Sequence, residues 1–206
     1  QRQMCIRDRL KQLNNVKQRL KVNKMAELTN YRLVLDELDS TLAHVEAEQA
    51  QAFVQEVLNA EHVFVAGKGR SGFVANSFAM RLNQLGKNAH VIGESTTPSI
   101  HEGDLFIVIS GSGSTEHLRL LADKAKSVGA QVVLLSTKPE SPIGELANTV
   151  IELPAGTKHD AEGSAQPLGS LFEQASQILL DSLVLDLMKE LDVSEETMQQ
   201  NHANLE

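Results

Sequence analysis

Two short apolar runs, each leading into a glycine- and serine-rich loop and then into a segment of helical periodicity, constrain this chain more than anything else in it. The first reads Phe64-Val65-Ala66-Gly67-Lys68-Gly69-Arg70-Ser71-Gly72. The second reads Phe106-Ile107-Val108-Ile109-Ser110-Gly111-Ser112-Gly113-Ser114-Thr115. Apolar runs without polar alternation fit strands buried on both faces, as in a parallel sheet covered by helices. The same order continues along the chain, with strands expected at 62–66, 89–93, 104–110, 131–136 and 149–153. Helices are expected at 71–85 and 114–128, a short one near 142–147, and a long apolar one at 170–191 after a loop at 154–169. A last short helix begins at Ser194, and Gly86 and Gly129 stand where helix C-caps belong.

Ahead of the sheet, Leu28, Tyr31, Leu35, Leu38, Leu42 and Val45 recur at spacings of three and four. That is an amphipathic helix whose stripe should be covered by the sheet or by another subunit. A second helical stretch surrounds Phe53, Val54, Val57 and Leu58. The fold class is therefore α/β, a three-layer αβα sandwich on a five-stranded parallel sheet, entered through N-terminal helices. In a doubly wound sheet of order 2-1-3-4-5, the ligand crevice opens between strands 1 and 3 at their carboxyl ends. The two glycine-rich loops follow those two strands, so they should meet at the crevice.

Charge and composition narrow the function. The chain carries a net charge of -8 and only 3% aromatic residues, with no tryptophan. Phosphate-backbone binding needs a basic surface and base stacking needs aromatic rings, so no nucleic-acid partner is expected. The single cysteine, Cys5, cannot form an internal disulfide, which favours a reducing compartment. No apolar run approaches the roughly 18 residues of a membrane span, and the expected location is the cytoplasm. Residues 1–24 hold eight Lys/Arg and one Asp, whereas the remainder holds 11 Lys/Arg and 26 Asp/Glu. This break predicts a basic extension over 1–24, read as non-native, ahead of a domain spanning 25–206.

The loops suit a phosphorylated small molecule. Glycine lets the backbone approach an anion, and helix N-termini direct free N–H groups at it. Ser110, Ser112, Ser114 and Thr115 add hydroxyl donors; Ser71 stands in the other loop, where Lys68 and Arg70 can offset phosphate charge. Ser71, Ser114 and Thr115 are also candidate helix caps. The first loop satisfies G-x-G-x-x-G, with Glu94 about 20 residues beyond it, which admits a nicotinamide-dependent oxidoreductase. That reading leaves the second loop unexplained. Glu94, Thr96, Thr97 and His101 lie in the loop between the second and third strands, where ordinary loop polarity accounts for them. The seven histidines show no paired ligand spacing, so no metal site is expected.

Glu173 has two readings. Ser170-x-x-Glu173 is a capping-box pattern at the start of a helix. The positive end of that helix favours the ionised carboxylate and weakens it as a base, whereas burial acts the other way. The residues alone leave the choice open. His202, in the terminal Asn201-His202-Ala203-Asn204-Leu205-Glu206, reads as a solvated tail residue that can reach a neighbouring subunit's crevice.

Taken together, Gly69-Arg70-Ser71-Gly72, Ser110-Gly111-Ser112-Gly113-x-Thr115, Gln166-Pro167-Leu168-Gly169-Ser170-Leu171-Phe172-Glu173 and the terminal His202-Ala203-Asn204-Leu205-Glu206 resemble the sugar isomerase (SIS) domain family, from about Met25 to the end. The two loops are motifs of the family at large; the last two stretches are narrower. The resemblance implies isomerisation of D-arabino-hex-3-ulose 6-phosphate to D-fructose 6-phosphate through an enediolate, in ribulose monophosphate fixation of formaldehyde. It also implies a homotetramer and no cofactor. By position it makes Ser71, Ser110, Gly111, Ser112, Gly113, Ser114 and Thr115 substrate-binding residues, Glu173 the proton acceptor and His202 an assisting group. The chain departs from the family pattern at Lys68, commonly alanine, and at Ser114, commonly glutamate. Another phosphosugar isomerase, or a non-catalytic sugar-phosphate sensor, stays open as an alternative.

Overall fold

The computed structural model describes residues 29–156 and 164–205. The expected extension over 1–24 and the start at Met25 lie outside the described residues. Chain contacts gather residues 36–206 into one compact unit, and the packing below is that of this unit.

Five strands, β1 (His62–Gly67), β2 (Asn88–Val91), β3 (Leu105–Ile109), β4 (Gln131–Ser136) and β5 (Thr149–Glu152), form one sheet. Its order is β2-β1-β3-β4-β5, with every neighbouring pair parallel. The central strands are buried along nearly their whole length: all five residues of β3, four of the six in β1 and five of the six in β4. Two-sided burial is why their sequences lack polar alternation.

The helices are α1 (Asn30–Leu42), α2 (Ala47–Asn59), α3 (Arg70–Gln84), α4 (Glu116–Ser127), α5 (Ser170–Glu190) and α6 (Glu195–Gln200). On one face of the sheet Phe64, Phe106, Val108, Val132 and Leu134 pack with Leu118, Ala122 and Ala125 of α4. On the other side α3 packs on β1 and α5, and α2 packs on β5 and α5. The three-layer expectation holds, and so does the strand order.

Both expected C-caps form. Gly86 and Gly129 have φ of 86° and 89°, and the residues after them donate back to Leu82 and Ala125, closing Schellman motifs. Segment 142–147 is not the helix the sequence predicted. It is a run of turns held by bonds such as Leu146 N–H to Ile143 O and Asn148 N–H to Val132 O. Of the α1 stripe, Leu38 lies in this unit and is buried.

Candidate active site

The β1 and β3 loops do converge. Ser71, Ser110, Gly111, Ser112 and Thr115 line one cavity of about 310 Å³, with Lys68, Ile109, Leu118, Gly156, Leu168, Gly169, Phe172 and Glu173. Each loop is held by backbone contacts that its glycines make possible. A Cβ on Gly67 would overlap the Ser71 carbonyl, so only glycine lets the end of β1 pass this close to the first turn of α3. Gly113, at φ 59°, is pressed against the Ser141 side chain, and its carbonyl accepts from Ile143 N–H at 3.0 Å.

The strand beside the second loop braces it. The Gly111 carbonyl accepts from Ser136 Oγ at 3.1 Å, from Thr137 Oγ1 at 2.8 Å and from Thr137 N–H at 3.1 Å. The loop therefore presents N–H and hydroxyl groups at the mouth of α4 on a fixed backbone. Such a nest, at the positive end of a helix, suits a phosphate. Two of the seven expected binding residues are not among the cavity's lining: Gly113 serves the brace, and Ser114 is exposed with its hydroxyl 3.1 Å from Ser112 Oγ.

The capping readings are corrected. Gly69 and Thr115 occupy the N-cap positions of α3 and α4, and neither helix has a side-chain cap bond. Ser71 lies inside the first turn of α3 and Thr115 lines the cavity. Ser170 is itself helical, behind Gly169 as N-cap, and its hydroxyl donates to Pro167 O at 2.7 Å. The expected box therefore does not form around Ser170. Glu173 is 5% exposed, and its Oε2 lies 2.7 Å from Arg70 Nε. Arg70, expected beside the phosphate, is thus engaged by the carboxylate, and only Lys68 of the two cations lines the cavity.

A 3₁₀ turn, Pro167–Gly169, carries the chain into α5. Leu168 takes φ 57° there, and its side chain stands 71% exposed at the cavity. Sequence reasoning missed this wall, together with Phe172, whose ring stacks over Gly111. The only local signal was the Pro-Leu-Gly turn itself. Ahead of it, Glu37 of α1 accepts from Ser164 Oγ, Ala165 N–H and Gln166 Nε2 at 3.1, 2.6 and 2.9 Å. The Ala165 N–H, first of all, holds the Glu37 carboxyl below its ordinary range, with Gln166 and Ser164 adding to it against a smaller opposing effect of burial.

His202 is not beside the cavity of its own chain. Asn201 donates to Gln84 O at 3.0 Å, which ties the tail to the C-terminal end of α3, whereas the cavity adjoins that helix's start. Glu94, Thr96, Thr97 and His101 also stay outside the lining. Thr97 Oγ1 donates to Val91 O, and His101 N–H donates to Asp104 Oδ2. With Glu94 away from the cavity, the nicotinamide reading loses its ribose partner. Glu61, His62 and Asp104 bring three possible ligand atoms within 4.8 Å of one another. The Asp104 oxygens there already meet His62 N–H, His62 Nδ1 and His101 N–H.

A buried carboxylate beside two glycine-serine loops at a switch point fits a protein that handles a phosphorylated small molecule. A family profile for the SIS domain matches residues 56–177, and the chain belongs to the SIS domain family. It is 44% identical over 176 residues to a 3-hexulose-6-phosphate isomerase of Bacillus subtilis, covering 84% of this chain and 95% of the relative. It is 41% identical over 179 residues to the enzyme of that name from Mycobacterium gastri, covering 86% and 90%. A crystal structure from Methanococcus jannaschii, for which a 3-hexulose-6-phosphate isomerase function was inferred, superposes with a TM-score of 0.77 at 31% identity, covering 87% of this chain and all of that one.

Proposed function

We propose that this protein is a 6-phospho-3-hexuloisomerase, converting D-arabino-hex-3-ulose 6-phosphate to D-fructose 6-phosphate in the ribulose monophosphate route of formaldehyde fixation. The observation that carries the reading is the buried Glu173 carboxyl in the same cavity wall as Ser71 and the Ser110–Thr115 loop. The loop amides and hydroxyls hold the phosphate, with Lys68 as the cation on that wall. Anchored there, the sugar chain lies along the cavity toward α5.

Glu173 takes the proton from C2 of the 3-ketose, forming a 2,3-enediolate. It returns a proton to C3, while the hydroxyl proton moves from O2 to O3 and the carbonyl settles at C2. One base serving two adjacent carbons is enough for this exchange. His202 acts from a neighbouring subunit on ring opening or on the oxygen proton transfer. We assign the domain to residues 25–206 and the enzyme to the cytoplasm. Among the described residues no helix is long and apolar enough to cross a membrane.

The homotetramer is part of the same proposal. It is supported by large apolar side chains left in solvent, with Phe73 74% and Met80 48% exposed on α3 and Ile178 42% on α5. Supplying formaldehyde, ribulose 5-phosphate and 3-hexulose-6-phosphate synthase, and following fructose 6-phosphate, tests the activity. Product formation above the synthase-only background is the expected result. Binding without turnover would instead make the protein a sugar-phosphate sensor.

A further inference from the structure

We propose that Arg70 is the positioning residue for Glu173, fixing its carboxyl in the cavity wall and holding it in the ionised, proton-accepting form. This rests on the reading of Glu173 as the base. Arg70 Nε lies 2.7 Å from Glu173 Oε2, and the two side chains are 59% and 6% exposed. A carboxylate this desolvated is disfavoured as an ion unless a charge answers it. Arg70 is also the first residue of α3, where the positive helix end works against a cation. The helix itself therefore gives no reason for an arginine at that place. The carboxylate at the start of α5 does.

The approach is from the side away from the ligand. Glu173 lines both the loop cavity and a neighbouring groove, whereas Arg70, with Phe73, Val74 and Ser77, lines only the groove. The guanidinium pairs with Oε2 without entering the space assigned to the sugar. Among the described residues, other charged groups around α5 make contacts of their own. Lys68 faces the cavity, Glu37 of α1 holds segment 164–166, and Glu56 of α2 accepts from Thr149 Oγ1 at 2.7 Å. Arg81, at the far end of α3, donates to Gln84 Oε1.

The test compares Arg70→Gln and Arg70→Lys with the parent in kcat and KM from about pH 5 to about pH 9, the range in which a carboxylate base gives an acidic limb. Arg70→Gln should lose roughly tenfold or more in kcat with KM little changed, and its acidic limb should move up by about one pH unit or more. Arg70→Lys should bring the limb back. A loss of kcat with an unmoved limb, or a loss confined to KM, overturns the proposal. An infrared titration of the Glu173 carboxyl, read as the difference from Glu173→Gln, repeats the comparison without substrate. Its midpoint should be higher in Arg70→Gln, and equal midpoints overturn the proposal even if turnover is intact. A parent protein that makes no fructose 6-phosphate would sink the isomerase reading while the titration still decides the pair. Should Arg70→Gln fail to fold, Arg70→Met carries the titration, a raised midpoint supporting the pair and an unchanged midpoint overturning it.

Discussion

At the residue scale, the chemistry depends on where charge is buried. Glu173 sits at the start of α5 with Arg70 Nε 2.7 Å from its Oε2, in a largely dry wall. His90 meets the opposite situation. Its ring packs against those of His62 and Phe64, with centroids 5.5 and 5.3 Å away. Burial, and then the neighbouring His62, push its protonation below the ordinary value of 6.5, while Asp104 and Glu94 pull the other way. A group depressed on folding binds fewer protons native than unfolded, so stability is full above the unfolded value and falls as pH drops through the folded one. His90→Phe keeps a packed ring and removes the proton site. The drop in Tm between about pH 7.5 and about pH 5.5, which brackets histidine titration, should be smaller in this variant; an equal drop would contradict the assignment. None of this was readable from the sequence, because the pairing of β1 with β2 is what stacks His62 and His90.

At the element scale, the alternation of apolar runs with helical segments carried most of the fold. β1, β3 and β4 are so evenly apolar that burial on both faces was the only consistent reading. The misreadings came where tertiary bonds override local pattern. Segment 142–147 has helical residues but is drawn into turns by Gly113 O and Val132 O. Ser170-x-x-Glu173 looked like a capping box, yet a left-handed Gly169 takes the N-cap and the glutamate turns to Arg70. Capping patterns record local chances and contain nothing of an arginine a hundred residues away in sequence.

The Glu37 clamp was equally illegible, since it joins α1 to the segment entering the 3₁₀ turn. Glu37→Ala removes an acceptor of three hydrogen bonds. It should cost about 1–3 kcal/mol in urea unfolding and raise KM more than it lowers kcat, because Leu168 and Gly169 lose their support. A variant with parental stability and KM would show that the clamp positions nothing.

On the scale of the whole molecule, the exposed Phe73 of α3 and Ile178 of α5 line the groove that holds Arg70, so the proposed assembly and the proposed catalytic pair would share a wall. Asn201 ties the tail to the far end of α3 in its own chain, so the role proposed for His202 belongs at another subunit's cavity. Phe73→Asp should therefore lower the mass in light scattering and reduce turnover together. Unchanged mass would remove Phe73 from the interface, and lost mass with full turnover would remove His202 from the reaction.

The central claim is that Glu173 moves the proton while the glycine-serine loops hold the phosphate. Glu173→Gln in the coupled fructose 6-phosphate assay, with binding of fructose 6-phosphate measured by calorimetry on the same preparation, tests it most directly. Turnover should fall by a factor of about 10² or more, the usual share of a general base, with binding kept within a few-fold. Turnover retained alongside normal binding would contradict the account and leave Glu173 a structural partner of Arg70.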